Sequence, residues 1–437
     1  MVKGYTIPAW SLWLIVVSAC GDPQVSTGDP PSQPGPDPSS GSSSPSNPNP
    51  TPGTQPGTDN PTSTTDPGSN EDTGTDDSPG APDSTQVPAD LQSCMTKFMT
   101  SGHLPGASSC LVKNQRIAWC GSFGYANIEK QVKVTEHTAF LLASVSKTVT
   151  ATAMMRLWEA GTFKLDDSIN SGLGFVVKNP RNTTPITYRH LLTHSSSIID
   201  DWNLIGTYYY KNIDPPVSLG DTLKAYFSSA NQSTIYSANK PGSVNEYSNT
   251  GLDLLGYLLE VLTKKDFAEY TRENIFTPLR MKNTSWWLKD FPDRDKLAMT
   301  YIWQNSKLTP TGYVTFSDYP SGLLHSSAYD LARFLLTYIQ GGTLDGVQVL
   351  KRETITEMMK PQFVNVDGSG MSQGLVWFIY NEGGVPCAEH EGSESGAGTQ
   401  ILFRNDGLGL TLLTNGDFDD NAMPGLKNCL LEFAKKL

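Results

Sequence analysis

A serine and a lysine three residues apart, Ser144 and Lys147, stand at the front of the alanine- and methionine-rich run FLLASVSKTVTATAMM. Serine attacks a carbonyl only when a neighbouring base takes its proton. On a helix, residues i and i+3 share a face one turn apart, so this spacing can give a nucleophile its activating neighbour. The first helical turn also offers free backbone N–H groups and the positive end of the helix dipole. One such N–H can form half of an oxyanion hole. Read alone, the same pair is by default a capped, buried helix carrying a solvated lysine.

Other segments separate the two readings. Ser237 to Lys240 repeats S-x-x-K, but Pro241 and Gly242 follow at once, so no helix can hold that pair. Gly370 to Gly374 spells G-x-S-x-G, a nucleophile elbow, which needs a strand before its serine and a helix after it. Here GSG precedes and the strand-like LVWFIY follows, so Ser372 reads as a strand-entry residue. Y-x-N occurs at Tyr125, Tyr210 and Tyr247, and the third opens the helical run NTGLDLLGYLLE. A tyrosine hydroxyl titrates at about 10 and needs a nearby cation to act as a base, which Lys147 could supply. Otherwise Tyr247 packs at a helix start. His390, Glu391 and Gly392 end a strand-like stretch, where glycine lets a backbone approach a ligand closely. On its own His390 reads as a surface histidine.

Taken together and in this order, SVSK, YSN and HEG resemble the three motifs of the serine β-lactamase-related superfamily. That group comprises class C β-lactamases, D-alanyl-D-alanine carboxypeptidases and family VIII-type esterases. LDDSI, LLTH at 191–194, PLRMKNTSW at 278–286 and SGLLHSSAYDLARFL at 321–335 agree with it. The resemblance implies an α/β (α+β) fold of the β-lactamase/transpeptidase-like kind: an antiparallel sheet flanked by helices, plus an all-helical lobe, with the site between them. It makes Ser144 the acylated nucleophile and Lys147 its activating neighbour. Tyr247 becomes the proton carrier, and Asn249 orders Lys147 and the substrate. His390 and Gly392 fill the third motif, and the Ser393 N–H joins that of Ser144 in the oxyanion hole.

The expected protein is therefore a serine hydrolase that forms an acyl-enzyme on an ester or amide, such as a D-amino-acid peptide or a β-lactam. An esterase or peptidase-like enzyme ranks ahead of a β-lactamase, and an inactive surface binding module is the non-enzymatic alternative. A serine, a cation and backbone N–H groups suffice for this chemistry, so no metal or organic cofactor is expected. Two departures from the family pattern bear on the substrate. Glu391 replaces the usual hydroxyl residue, and a carboxylate facing the site would repel an anionic substrate. THSSSIID lacks the glycine of LLTHTSG, which predicts a differently shaped loop.

These residues need elements to hold them. ADLQSCMTKFMTSG reads as a helix ending at Gly102, and GASSCLVKNQRIAWCGSFGYAN as two strands around a turn. LDLLGYLLEVLTK and AYDLARFLLTYIQGG have helical periods. LVWFIY, GVPCAEHEG, GTQILFR and LGLTLLTNG read as strands, and AMPGLKNCLLEFAKKL as a closing helix. Strands early, helices between and strands late predict one sheet assembled from both ends of the chain.

Composition divides the 437 residues further. Residues 21–90 are mostly Pro, Ser, Thr, Gly, Asp and Asn with almost no large apolar residue, and carry 11 acids and no lysine or arginine, a tether that cannot bury enough apolar surface to order itself. The net charge of −12 resides there almost entirely, leaving −2 for the catalytic domain expected over 91–437. That balance gives no footprint for nucleic acid. Residues 1–20 read as a signal whose VSAC ending resembles a lipobox, so Cys20 is expected to carry lipid and tether the protein to a membrane. The expected location is the cell envelope, periplasm-facing or at the cell surface, with a small-molecule or peptidoglycan-type substrate. Of the other cysteines, Cys94 with Cys429 is a candidate disulfide. A two-residue turn at Asn114 and Gln115 would put Cys110 and Cys120 on opposite faces of their hairpin, which forbids a bridge. No C-x2-C pair offers a zinc site.

Overall fold

The computed structural model describes residues 85–229 and 232–437. The expected signal, its Cys20 lipidation and the tether up to residue 84 lie outside the described residues. The first helix, α1 (Ala89–Ser101), already begins within the last two positions of the expected tether. Leu91, Met95 and Met99, four residues apart, line its buried face, and the helix stops at Gly102.

Two long strands follow, β1 (Gly106–Lys113) and β2 (Arg116–Asn127), with the short β3 (Val132–Lys133) beside them. The central part of the chain is helical, with α2 (Ser146–Glu159), α3 (Leu219–Phe227), α4 (Asn249–Thr263) and α5 (Ala328–Ile339) its main members. Then come β4 (Ser372–Gln373), β5 (Phe378–Glu382), β6 (Val385–Glu394), β7 (Ala397–Arg404), β8 (Gly409–Thr414) and finally α6 (Ala422–Ala434).

The eight strands form one antiparallel sheet in the order β4-β5-β6-β7-β8-β1-β2-β3. The two ends of the chain meet where β8 pairs with β1, Ala107 opposite Thr414 through Val112 opposite Gly409. Alternation along each strand sends side chains to two different cores. Leu402 of β7 joins Met95, Leu426 and Leu430 against α1 and α6, whereas Ile401 and Phe403 face the larger core shared with α2, α4 and α5. The expected sheet-and-helix architecture is thus present, with the helical segments lying against the second face.

The hairpin departs from expectation. Asn114 and Gln115 do form a two-residue turn, both at left-handed φ (53° and 57°), as such turns require. A bulge then leaves Ala118 without a partner, because Val112 faces Ile117 while Leu111 faces Trp119. That one extra residue places Cys110 directly opposite Cys120, and the two form a disulfide with Cα atoms 4.1 Å apart. Cys94 and Cys429 also pair, joining α1 to α6, and Cys387 is buried and free. LVWFIY is a strand only from Phe378. Its first half is buried and irregular, with Val376 at φ 71° donating its N–H to the Leu192 carbonyl of the helical lobe.

Candidate active site

Ser144 sits in a single 3-10 turn, Ala143–Val145, that runs directly into α2. The turn is pinned from two sides. Leu142 donates its N–H to the Leu324 carbonyl at 2.8 Å, and its own carbonyl accepts from Thr399 Oγ1 of β7 at 2.6 Å. One turn on, Lys147 is completely buried. Its Nζ donates to Ser144 Oγ at 2.9 Å, Asn249 Oδ1 at 2.7 Å and the Ser321 carbonyl at 2.8 Å. An ammonium has three N–H donors, so this cage satisfies it fully, which is what a buried cation requires.

Asn249 opens α4, capped by Ser248, whose hydroxyl accepts from Gly251 N–H. Behind it stands Asp200. Its Oδ2 accepts from both the backbone and the side-chain amide of Asn249, each at 2.9 Å, and its Oδ1 from Ser248 Oγ and Thr250 N–H, each at 3.1 Å. Because Asp200 takes the amide N–H, the Asn249 oxygen is left facing Lys147.

Tyr247 is half-buried, with the Lys147 Nζ 5.0 Å from its ring centre. Its ring also stacks on that of His194, with centres 4.3 Å apart. His194 Nδ1 accepts from Ser248 N–H at 3.2 Å, so the ring proton is on Nε2, which is buried without a protein partner. Burial, then the Lys147 charge, hold this imidazole well below its ordinary pKa. His390 on β6 is buried too, not a surface residue. It donates from Nδ1 to the Glu391 carbonyl at 2.7 Å, leaving Nε2 as an unpartnered buried acceptor. Burial and the Lys147 charge push it down to about 3, so it is neutral at ordinary pH.

At Gly392 the sheet comes close against the nucleophile turn. A Cβ there would lie 2.3 Å from the Leu142 carbonyl and 3.1 Å from Ser144 N. Ser393 follows on the same strand. The β5 ladder ends at Glu389, which leaves His390 to Glu394 unpaired on that side, a free strand edge along the site. Glu391 points elsewhere. It stands opposite Gln400, whose amide donates to Glu391 Oε1 at 2.9 Å and Glu389 Oε1 at 2.5 Å. Glu389 in turn accepts from Lys427 of α6 at 2.8 Å. The Glu391 carboxylate thus occupies the sheet face that carries α6, opposite to that of His390 and Gly392, so the expected repulsion of an anionic substrate does not operate from this side chain.

The structure therefore brings Ser144, Lys147, Tyr247, Asn249, His390, Gly392 and Ser393 together, and leaves the competing motifs outside. Ser237 donates to Glu246 Oε2 at 2.6 Å, and Lys240 is exposed in a turn. Ser372 lies on β4 with no helix after it. Tyr125 lies on β2 beneath Lys133, and Tyr210 on a short ladder, Tyr209–Lys211. The loop missing its glycine is built with Ser197 at φ 66°, a region that favours glycine, and the serine hydroxyl accepts from Asn179 at 2.9 Å. Sequence reasoning missed Asp200, His194 and Ser321 as site components. His194 and Ser321 lie inside segments that carried the family resemblance, LLTH and SGLLHSSAYDLARFL, which was the available signal, whereas Asp200 ends THSSSIID, the segment that departs from it.

A serine bonded to a buried lysine, an asparagine and tyrosine at the next helix start, and a histidine-bearing strand edge opposite them define the β-lactamase/transpeptidase fold and its site. The chain belongs to the beta-lactamase family, whose model matches residues 91–427. Members of that family are serine hydrolases. Penicillin-binding protein 4 of Amycolatopsis lactamdurans is 28% identical over 340 residues, which cover 75% of this chain and 85% of the relative. Protein flp of Staphylococcus aureus (strain MW2) is 27% identical over 54% of this chain, and the match spans only 46% of flp's own length. Among solved structures, the octameric penicillin-binding protein homologue from Pyrococcus abyssi superposes with a TM-score of 0.67 at 26% identity, covering 78% of this chain and 76% of that one.

Proposed function

We propose that this protein is an exported, lipid-anchored serine hydrolase that forms an acyl-enzyme on Ser144, with neutral esters or D-amino-acid amides as substrates. The observation that carries this reading is the 2.9 Å bond between Ser144 Oγ and a Lys147 ammonium whose other two donors are also satisfied. In the acylation step Ser144 Oγ attacks the carbonyl carbon and its proton passes to Tyr247 acting in its phenolate form. The oxyanion takes the N–H groups of Ser144 and Ser393. Tyr247 returns the proton to the departing alcohol or amine. Water then cleaves the acyl-enzyme by the reverse sequence.

The neutral state of His390 supports ranking neutral esters ahead of β-lactams. With that imidazole held at about 3, the third motif presents no cation for a substrate carboxylate. The relatives named as penicillin-binding proteins favour a D-amino-acid peptide among the amides. The test is hydrolysis of a chromogenic cephalosporin, short-chain p-nitrophenyl esters and a D-Ala-D-Ala peptide by wild type and Ser144→Ala. Ester or peptide turnover should exceed cephalosporin turnover and fall at least about a thousandfold in the variant. Turnover insensitive to Ser144→Ala would refute the mechanism, and dominant cephalosporin turnover the ranking.

A further inference from the structure

Two carboxyl groups that take no part in the proposed chemistry stand immediately behind the Lys147 cage. Asp200 fixes Asn249, as described above. Asp253, one helical turn after Asn249 on α4, accepts the Ser321 N–H on its Oδ1 at 2.8 Å. The carbonyl of that same residue receives Lys147 Nζ. Two of the three acceptors around the lysine are therefore each held by an acid from behind, one through a side-chain amide and one through a backbone residue.

We propose that Asp200 and Asp253 are positioning residues for Lys147, which set the rate of Ser144 acylation by fixing Asn249 Oδ1 and the Ser321 carbonyl. This inference rests on the proposed role of Ser144.

The two acids do this with different chemistry. Asp200 uses both oxygens, each accepting two hydrogen bonds, so it must be a carboxylate or lose partners. Asp253 uses only Oδ1, and its Oδ2 is buried without a partner. The charged groups around Asp253 are Lys147 from α2 and Asp318 from the loop before Ser321, with Tyr209 also within electrostatic reach. Burial, then the Asp318 charge, hold the Asp253 carboxyl well above its usual range despite Lys147. A protonated carboxyl and a carboxamide are close in shape, and both offer one acceptor oxygen. Asparagine should therefore replace Asp253 but not Asp200, because Asp200→Asn turns an NH2 group toward donors that need an acceptor.

The test follows phosphonylation of Ser144 by a fluorophosphonate probe, in which Oγ attacks phosphorus and fluoride leaves, with intact-mass detection that yields a rate constant and an end-point stoichiometry. Wild type should reach about one adduct per chain. Asp253→Asn should react within about threefold of wild type, whereas Asp253→Leu and Asp200→Asn should be slower by about ten- to a hundredfold, the scale of a misplaced catalytic group. Both slow variants should still reach full stoichiometry. Slow variants that stop short of one adduct would show a merely structural role and overturn the proposal. So would wild-type rates in Asp253→Leu and Asp200→Asn, or an Asp253→Asn as slow as Asp253→Leu. A wild type that takes no adduct on Ser144 would instead refute the hydrolase reading beneath it.

Discussion

Ser144 to Lys147 and Ser237 to Lys240 share a spacing and share little else. In the first, a 3-10 turn feeds a 14-residue helix, and the lysine is completely buried with three acceptors. In the second, the serine hydroxyl bonds Glu246 and the lysine points to solvent from a turn. Burying an ammonium without partners is costly enough that the group would sooner give up its proton, so a buried lysine keeps its charge only where the rest of the chain supplies acceptors. Two of those three acceptors come from residues 249 and 321, far along the sequence. A short motif states which groups are present. The chemistry it can perform is decided by groups it does not contain.

The sharpest way to break this contrast is to delete both hydroxyls. Ser144→Ala should lower kcat/KM at least about a thousandfold, while Ser237→Ala should leave it within about twofold. Steady-state hydrolysis of one ester by both variants checks it, and comparable losses would erase the distinction.

A second contrast lies among the glycines. Gly392 has no room for a Cβ, whereas Gly174 has nothing within 4 Å of the corresponding position. At Gly392 the obstacle is the backbone carbonyl of Leu142, which cannot rotate away. Gly392→Ala must push β6 from the nucleophile turn and should cost about a hundredfold in kcat/KM. Gly174→Ala should be indistinguishable from wild type in the same assay.

Much of this site was legible because each motif is compact: S-x-x-K, Y-x-N and H-x-G hold their reactive groups within four residues. The sheet built from both chain ends was legible from its strand periods for the same local reason. What escaped depended on contacts across the fold. Asp200 and Ser321 matter only because they meet Asn249 and Lys147 in space. An unbroken ladder would put Cys110 and Cys120 on opposite faces, and the bulge at Ala118 reverses that parity. His390 looked like a surface group because its burial comes from neighbours such as Phe378 on β5, 5.5 Å away.

That burial has a consequence for stability against pH. The His390 value of about 3 lies below the ordinary 6.5, so between those limits the unfolded chain binds a proton that the folded chain refuses. Stability contributed by neutral His390 is intact above about pH 6.5 and declines as pH falls toward 3. Other buried groups titrate in the same range, so the effect is isolated by difference. The stability of wild type relative to His390→Gln should fall by about 1.4 kcal/mol per pH unit in this window. Urea unfolding at pH 7.5, 6 and 5 checks the slope, and a pH-independent difference would mean that the imidazole ionises normally in the fold.

The smallest effect belongs to the neighbouring residue on the other face of β6. Glu391 is spent on Gln400, beside Glu389 and Lys427, and not on the cleft. Glu391→Gln keeps an oxygen for the Gln400 amide and removes the titratable carboxyl. If the side chain faces as described, hydrolysis of a neutral p-nitrophenyl ester and of an anionic cephalosporin should each stay within about twofold, with their ratio unchanged. A carboxylate lining the cleft would behave differently, because removing it would relieve repulsion of the anion alone. A rise of more than about tenfold in the cephalosporin-to-ester ratio would therefore place Glu391 in the site and end the contrast between the two faces of the strand.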